Sequence, residues 1–467
     1  MAEHCGKPGR YFGTDGYRGE AGETLTAERA FRLGRFLGFY YREILQRRGN
    51  AGDRARVAIG KDTRRSGYML EYAVAAGLAA SGADAYLLHV TTTPSVSFVT
   101  RSDGFDGGIM ISASHNPYCD NGIKVMNRAG EKEDGEVLAM AEDYLDGAVT
   151  LFGRDYTELP AARGEAIGRT VDYVAGRNRY IGYLLSHATY SLRGMKIGLD
   201  CANGSAFSIA RAVFDALGAT TYIIGGDPNG TNINRGCGST APEGLAQLVR
   251  ERSLDVGFAF DGDADRCIAV DERGEIADGV AILYAVGTHM KREGSLHGGI
   301  VSTVMANAGF AEALRREDVP LARTLVGDKY VYAEMVRRGW CLGGEPSGHV
   351  IFSKYETTGD GLLTALEVLR VMLERESPLS ALVAPYRPYP EALLNVRVTE
   401  PGALLQRPSV TEAIRAAEAA LGDAGRVLVR ASGTEPVVRI LVEARERPVA
   451  ESLAAMIGET VRGEEGR

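Results

Sequence analysis

The sequence predicts an α/β protein of four domains: three similar, mixed α/β layered domains and a smaller carboxy-terminal α+β domain. Three observations carry this expectation. The 467 residues exceed the size at which one hydrophobic core stops growing. Short β-rich runs alternate with helical stretches over most of the length, which is the pattern of layered α/β units. Beyond a proline-rich stretch at Ser377–Pro390 the pattern changes to one helix and two strand-like runs.

Thr26 can cap a helix on which Phe31, Leu33, Gly34, Leu37, Tyr40, Tyr41, Ile44 and Leu45 recur near helical spacing. Strands at Val57–Ile59 and Tyr86–Leu88 lead to a third, Gly108–Ile111, in a first unit spanning residues 1–155. The second unit, 156–254, repeats the order with strands at Lys196–Leu199 and Tyr222–Ile224 around a helix from about Ser208. Val256–Phe260 opens the third unit, 255–376, which continues through Ile300–Val304. In the fourth, 377–467, Ser377–Pro390 reads as a linker and Ser409–Glu412 as a capping box that opens a helix to about Leu421. Two β runs then flank Ser432-Gly433-Thr434.

Composition excludes several function classes. Hydrophobic residues at 45% and charged residues at 24% are ordinary for a globular protein. The formal charge of −8 argues against a nucleic-acid or anionic-membrane partner, since both need a basic surface. No apolar run is long enough to span a membrane, and Met1–Gly13 lacks the apolar core of a signal peptide, so a cytoplasmic protein is expected. The six cysteines form no Cys-x-x-Cys pair, which points to reduced and mostly buried thiols.

Four loops carry chemistry. Ser114 lies in Ile111-Ser112-Ala113-Ser114-His115-Asn116-Pro117, directly after an apolar strand, where its hydroxyl can take and give a phosphoryl group. A lone loop serine is ordinarily a cap or a solvated hydroxyl, but His115, Asn116, the turn-fixing Pro117 and nearby Lys124 argue otherwise. Lys124 reads as a phosphate-orienting cation, as a proton carrier if burial among other cations lowers its pKa, or as a plain surface lysine. Asp261, Asp263 and Asp265, followed by Arg266, place carboxylates at alternate positions, suited to a hard cation. A calcium helix-loop-helix also spaces its ligands this way, with Glu272 at its twelfth position. It is rejected because Arg266 stands where that loop needs glycine and because the flanks read as strands. Three carboxylates leave room for a phosphoryl oxygen, which suits Mg²⁺.

Glu345, Ser347 and His349 share the third loop, Gly343–His349, and suit the vicinal hydroxyls of a sugar. In the fourth, Arg430, Ser432, Gly433, Thr434 and Arg439 surround a tight turn able to cradle phosphate. Near the amino terminus Phe12–Gly19 is glycine-rich but has neither Walker spacing nor a dinucleotide fingerprint.

Together, and in this order, the four loops resemble those of the α-D-phosphohexomutase superfamily from end to end. Tyr11–Gly16, Gly60–Arg64, Asn232–Ser239, Gly327–Tyr330 and Thr357–Gly361 are similar to the branch that acts on glucosamine phosphates. The resemblance implies four domains around a central cleft, the last of them mobile, in a heart-shaped molecule. It implies that Ser114 is phosphorylated and that its phosphate joins Asp261, Asp263 and Asp265 around Mg²⁺. Arg18, His115, Lys124, Arg266 and His349 would surround the reacting phosphate. Glu345 and Ser347 would hold sugar hydroxyls, and Arg430, Ser432, Gly433, Thr434 and Arg439 the second phosphate. The implied reaction interconverts glucosamine 6-phosphate and glucosamine 1-phosphate through a 1,6-bisphosphate, with a sugar 1,6-bisphosphate as activator or primer. The same mechanism on mannose or glucose phosphates is the alternative. The implied partner is a small-molecule sugar phosphate, with no nucleic acid and no membrane, bound by a monomer or homodimer. One departure is Pro346, where this branch usually carries glutamine.

Overall fold

Seven strands form the first sheet, ordered Phe12–Gly13, Gly16–Glu20, Asp120–Asn127, Gly107–Ile111, Arg56–Lys61, Asp84–Val90 and Thr170–Asp172. The last four run parallel, and Asp120–Asn127 reverses direction against Gly107–Ile111. The computed structural model describes residues 9–49, 52–432 and 435–465.

Helix Ala27–Arg47 starts where Thr26 accepts a hydrogen bond from the Arg29 N–H. It buries Leu33, Phe36, Leu37 and Tyr41 in the cluster that holds Val57, Ile59, Ile109 and Ile111 of the sheet. Glycine lets it approach helix Arg65–Ala80 closely: a Cβ at Gly34 would lie 2.3 Å from Val74 O, and one at Gly77 2.2 Å from Phe31 O. Phe31, counted on the apolar face by its spacing, is exposed at that helix surface.

The second sheet orders Thr220–Ile224, Lys196–Asp200, Val256–Phe260, Cys267–Val270 and Ile276–Ala277. Sequence reading places Val256–Phe260 at the head of the third unit, but the strand pairs in parallel with Lys196–Asp200, so the aspartate loop belongs to the second sheet. Parallel partners are chosen by hydrogen bonding across a crossover helix, which local pattern does not reveal. In the third sheet Ile300–Thr303 runs parallel to Leu342–Gly344, with Val350–Phe352 antiparallel beyond it.

Two compact units result. One runs to Thr303 and resumes over Ala322–Val383; the other comprises Val304–Leu321 and the chain from Ala384 onward. In the second unit a three-stranded antiparallel sheet (Glu391–Arg397, Val437–Ala444, Gly425–Ala431) packs Val438, Ile440 and Val442 against helices Pro408–Leu421 and Arg447–Glu465. Helix Ala308–Arg316 joins it through the Ala308 N–H, 2.6 Å from Glu443 Oε2.

Two local expectations are corrected. The Ser409–Glu412 capping box does not form: the helix begins two residues earlier than that box implies, at Pro408, whose fixed φ suits the first helical position, with Arg407 as a cap without a side-chain bond. Ser377–Pro390 is not all linker either. Leu379–Val383 is a helix, and the Ser380 N–H and hydroxyl both bond Glu272.

In the first unit, the motif residues follow the carboxyl ends of parallel strands: Asp62, Thr93, Ser114, Asp261 and Glu345. Ligands of open α/β sheets bind at these ends, because the loops there diverge as the strand order switches.

Candidate active site

Ser114 is fully buried and sits in the left-handed region, φ +52°. Its hydroxyl donates to Asp261 Oδ2 and lies 3.4 Å from His115 Nδ1. Ser112, two residues before, spends its hydroxyl elsewhere: it donates to Asp62 Oδ2 at 2.6 Å and accepts the Ser114 N–H at 2.9 Å. Of the two serines, only Ser114 faces the aspartate loop.

Asp261, Asp263 and Asp265 are buried, and each offers an oxygen to a set lying within 4.8 Å. Asp263 is pinned by Thr93, whose hydroxyl bonds its carboxylate and whose N–H donates to its carbonyl at 2.9 Å. Oδ1 of Asp263 and Oδ1 of Asp265 are buried without a hydrogen-bond partner, a costly state for carboxylate oxygens. Burial, then the charges of Asp265 and Asp263, push the Asp261 carboxyl well above its usual range. Burial also opposes the charge on Asp265, but Lys124, His349 and Arg266 outweigh it and hold that carboxyl well below. An all-oxygen set with unspent buried oxygens fits a hard divalent cation.

Lys124 projects from Asp120–Asn127 and reaches Asp263 Oδ2 at 2.7 Å, Asp265 Oδ2 at 2.9 Å and Asp15 Oδ2 at 3.5 Å. A lowered pKa for this lysine, weighed from its expected cationic surroundings, is contradicted. Burial lowers it, but Asp15, Asp263 and Asp265 outweigh burial and hold it well above the ordinary value. The surface-lysine reading fails as well, since the side chain is 5% exposed.

Arg18 pairs with Asp15 and lies 3.5 Å from Asn116 Oδ1. Arg266 places a guanidinium nitrogen 3.1 Å from His115 Nδ1, with its Nε buried and unpartnered. Burial, then Arg266 and Arg18, lower the His115 pKa. His349 is buried; its Nε2 accepts the Gly359 N–H at 2.9 Å, which leaves Nδ1 as the protonated nitrogen, 3.7 Å from Asp265 Oδ1.

Glu345 Oε1 accepts the Gly327 N–H at 3.0 Å, and Ser347 Oγ is buried without a partner. Gly348, φ +91°, closes this loop against the aspartate segment: a Cβ there would lie 2.4 Å from Cys267 O. Pro346 fits because its carbonyl, and no side-chain amide, takes the Gly279 N–H at 3.1 Å.

The first unit therefore gathers Arg18, Ser114, His115, Lys124, Asp261, Asp263, Asp265, Arg266 and His349 through direct contacts. Arg430, Ser432 and Arg439 belong to the second unit. Arg430 and Arg439 stand opposite each other on Gly425–Ala431 and Val437–Ala444, where like charges repel. Arg439 Nε is buried without a partner, while its Nη2 lies 3.0 Å from Glu435 Oε2. Gly433 and Thr434 lie outside the described residues.

Sequence reasoning missed several members. Arg64, fully buried, holds Asp62 with Nε at 2.9 Å and donates to the carbonyls of Ser114 and Asn116. Its signal was the Asp62–Arg64 pair directly after a strand, noted above only as a mark of the branch. Lys132 Nζ bridges Asp15 Oδ1 at 3.1 Å and Asp328 Oδ1 at 2.7 Å, and nothing in its local sequence marks it.

Four family descriptions of phosphoglucomutase/phosphomannomutase match the chain: alpha/beta/alpha domain I over residues 9–147, domain II over 178–274, domain III over 278–389 and the C-terminal domain over 393–460. A phosphoglucosamine mutase of Lachnoclostridium phytofermentans is 55% identical over 447 residues, covering 96% of each chain. Among solved structures, a phosphoglucomutase/phosphomannomutase family protein of Burkholderia thailandensis aligns with a TM-score of 0.76 at 24% identity, covering 98% of both chains. N-acetylphosphoglucosamine mutase of Aspergillus fumigatus, in complex with GlcNAc-6P and magnesium, aligns at 0.67 and 20% identity, covering 99% of this chain and 97% of that one. With all four domains matched in order, the chain belongs to the phosphoglucomutase/phosphomannomutase family.

Proposed function

We propose that this enzyme is a phosphohexose isomerase that interconverts glucosamine 6-phosphate and glucosamine 1-phosphate through phosphorylated Ser114. The observation that carries the reading is the Ser114 hydroxyl held on Asp261, at the rim of three buried carboxylates. Full-length similarity to phosphoglucosamine mutases selects the sugar.

In the forward direction the C1 hydroxyl of glucosamine 6-phosphate attacks the phosphorus on Ser114. The bond from phosphorus to Ser114 Oγ breaks as the one to O1 forms and the O1 proton ends on Ser114 Oγ, giving a 1,6-bisphosphate and a free serine hydroxyl. After the sugar reorients, Ser114 Oγ takes the 6-phosphoryl group and glucosamine 1-phosphate leaves. Asp261 accepts the hydrogen bond of the free hydroxyl and so aims it. Lys124, Arg266 and Arg18 meet the charge that spreads over the transferring group, with His115 and His349 beside them. Asp261, Asp263 and Asp265 would hold Mg²⁺, which when bound together with the Ser114 phosphate supplies further charge neutralisation. Glu345 and Ser347 would take ring hydroxyls. Arg430, Ser432, Gly433, Thr434 and Arg439 would take the phosphate that is not reacting. A sugar 1,6-bisphosphate would recharge an enzyme that has lost its phosphate. A cytoplasmic enzyme fits a phosphorylated substrate, and no helix among the described residues is long and apolar enough to cross a membrane.

The test is a panel of glucosamine, glucose and mannose 6-phosphates with the 1-phosphate product measured. Glucosamine phosphate should be preferred at least about tenfold in kcat/KM, a difference of ~1.4 kcal/mol. Equal or better turnover of glucose or mannose phosphate would assign the other sugar and leave the Ser114 chemistry standing. Pro346 favours keeping that second reading open, since it removes a side-chain amide from the sugar loop. Inorganic phosphate released at the turnover rate would instead mark a phosphatase.

A further inference from the structure

Two donors converge on the serine loop from opposite segments. Asn234 Nδ2 donates to Ser114 O at 2.9 Å and to Asn116 O at 2.9 Å. A single Arg64 nitrogen donates to the same two carbonyls, at 2.9 and 2.8 Å. Each carbonyl thus has both lone pairs engaged. This matters because Ser114 holds φ +52°, a conformation that a residue with a β-carbon keeps only where its surroundings over-determine it.

Arg64 is fixed from below by Asp62, which accepts from both its N–H and its Nε. Asn234 follows the edge strand Thr220–Ile224 of the second sheet, and its own N–H donates to Ala202 O at 2.8 Å. Gly262 completes the seat: a Cβ there would lie 2.5 Å from Ser114 O and 3.3 Å from Asn234 Nδ2. The carbonyl of Ser114 is therefore held against the loop whose first carboxylate receives its hydroxyl.

We propose that Asn234 is a positioning residue for phosphoryl transfer: its amide, with Arg64, holds the backbone of Ser114 in the orientation that aims Oγ at Asp261. The proposal rests on the phosphoserine reading above. Without the amide the loop relaxes and the phosphoryl group leaves its line of attack, while the groups that would bind the sugar and the distal phosphate stay intact. Turnover should fall and KM should not.

The full-length enzyme would be compared with its Asn234→Gly and Asn234→Asp variants. Asn234 itself has φ +58°, so glycine deletes the amide at no cost in backbone strain. Aspartate keeps the shape and turns a donor into an acceptor facing two carbonyls. The measurements are kcat and KM with glucosamine 6-phosphate, the ³¹P resonance of phosphoserine, Ser114 phosphopeptide content and thermal unfolding. In both variants kcat should drop at least about tenfold, with KM within about twofold, a displaced ³¹P resonance and cooperative unfolding. A kcat within about twofold of the parent in both, with the resonance unmoved, overturns the proposal; so does a loss that only tracks the folded fraction. If the unsubstituted enzyme carries no phosphate on Ser114, or Ser114→Ala turns over, the phosphoserine reading falls and the proposal with it.

Discussion

The serine loop differs from the described residues of the carboxy-terminal loop in burial and in how its backbone is held. Around Ser114, side chains are buried and the loop backbone is bonded from several sides: Arg64 and Asn234 each donate to the carbonyls of Ser114 and Asn116 at 2.8 to 2.9 Å, and the Ser112 hydroxyl accepts the Ser114 N–H at 2.9 Å. Around Ser432, by contrast, Arg430 is exposed, Arg439 faces it across the strands, and one guanidinium nitrogen is buried without a partner. Reacting atoms must be held in place before the substrate arrives, because any reorganisation adds to the barrier. A remote phosphate needs only charge and donors, which can remain unpaired until the anion fills them. Under the proposed function the two loops serve two tasks, one for chemistry and one for capture.

The sharpest break would come at the nucleophile. Ser114→Ala should cut turnover by at least about a thousandfold and leave unfolding cooperative, with steady-state kinetics and calorimetry as the checks. Near-normal kcat would end the distinction between the loops. Next in size is metal removal. A chelator should lower activity at least about a hundredfold, several kcal/mol of charge stabilisation, with recovery on adding Mg²⁺; activity that survives chelation would leave the buried carboxylate oxygens unexplained.

At the second loop the expected effect changes kind. Arg430→Ala and Arg439→Ala should each raise KM roughly 10- to 150-fold, the equivalent of a charge-assisted bond worth about 1.5 to 3 kcal/mol. Their thermal stability should not fall, since removing one of two facing guanidiniums relieves repulsion. Unchanged KM in both would make the loop an ordinary hairpin. The smallest effect on turnover belongs to Ser112→Ala. Its hydroxyl is spent on Asp62 and the Ser114 N–H, so the variant should lose about 1 to 3 kcal/mol of stability and, since Arg64 and Asn234 still hold the Ser114 and Asn116 carbonyls, no more than about tenfold in kcat. A phosphopeptide mapping to residue 112 in the parent enzyme would reverse the assignment of the two serines.

By itself, the sequence determined the alternation of strands and helices, the start of Ala27–Arg47 at Thr26 and the four loops with their chemical character. These are local properties: hydrophobic period, a capping hydroxyl, carboxylates on alternate residues, glycine at a tight turn. Tertiary structure alone decided which sheet Val256–Phe260 joins, because parallel pairing lies between segments far apart in the chain. In the site, it decided the charge on Lys124: the sequence shows a lysine near a serine, but only the fold brings Asp15, Asp263 and Asp265 around it. Arg64 and Asn234 escaped notice for the same reason. Their work is to bond backbone carbonyls 50 and 120 residues away along the chain, and a hydrogen bond to a carbonyl leaves no trace in the identity of the residue that accepts it.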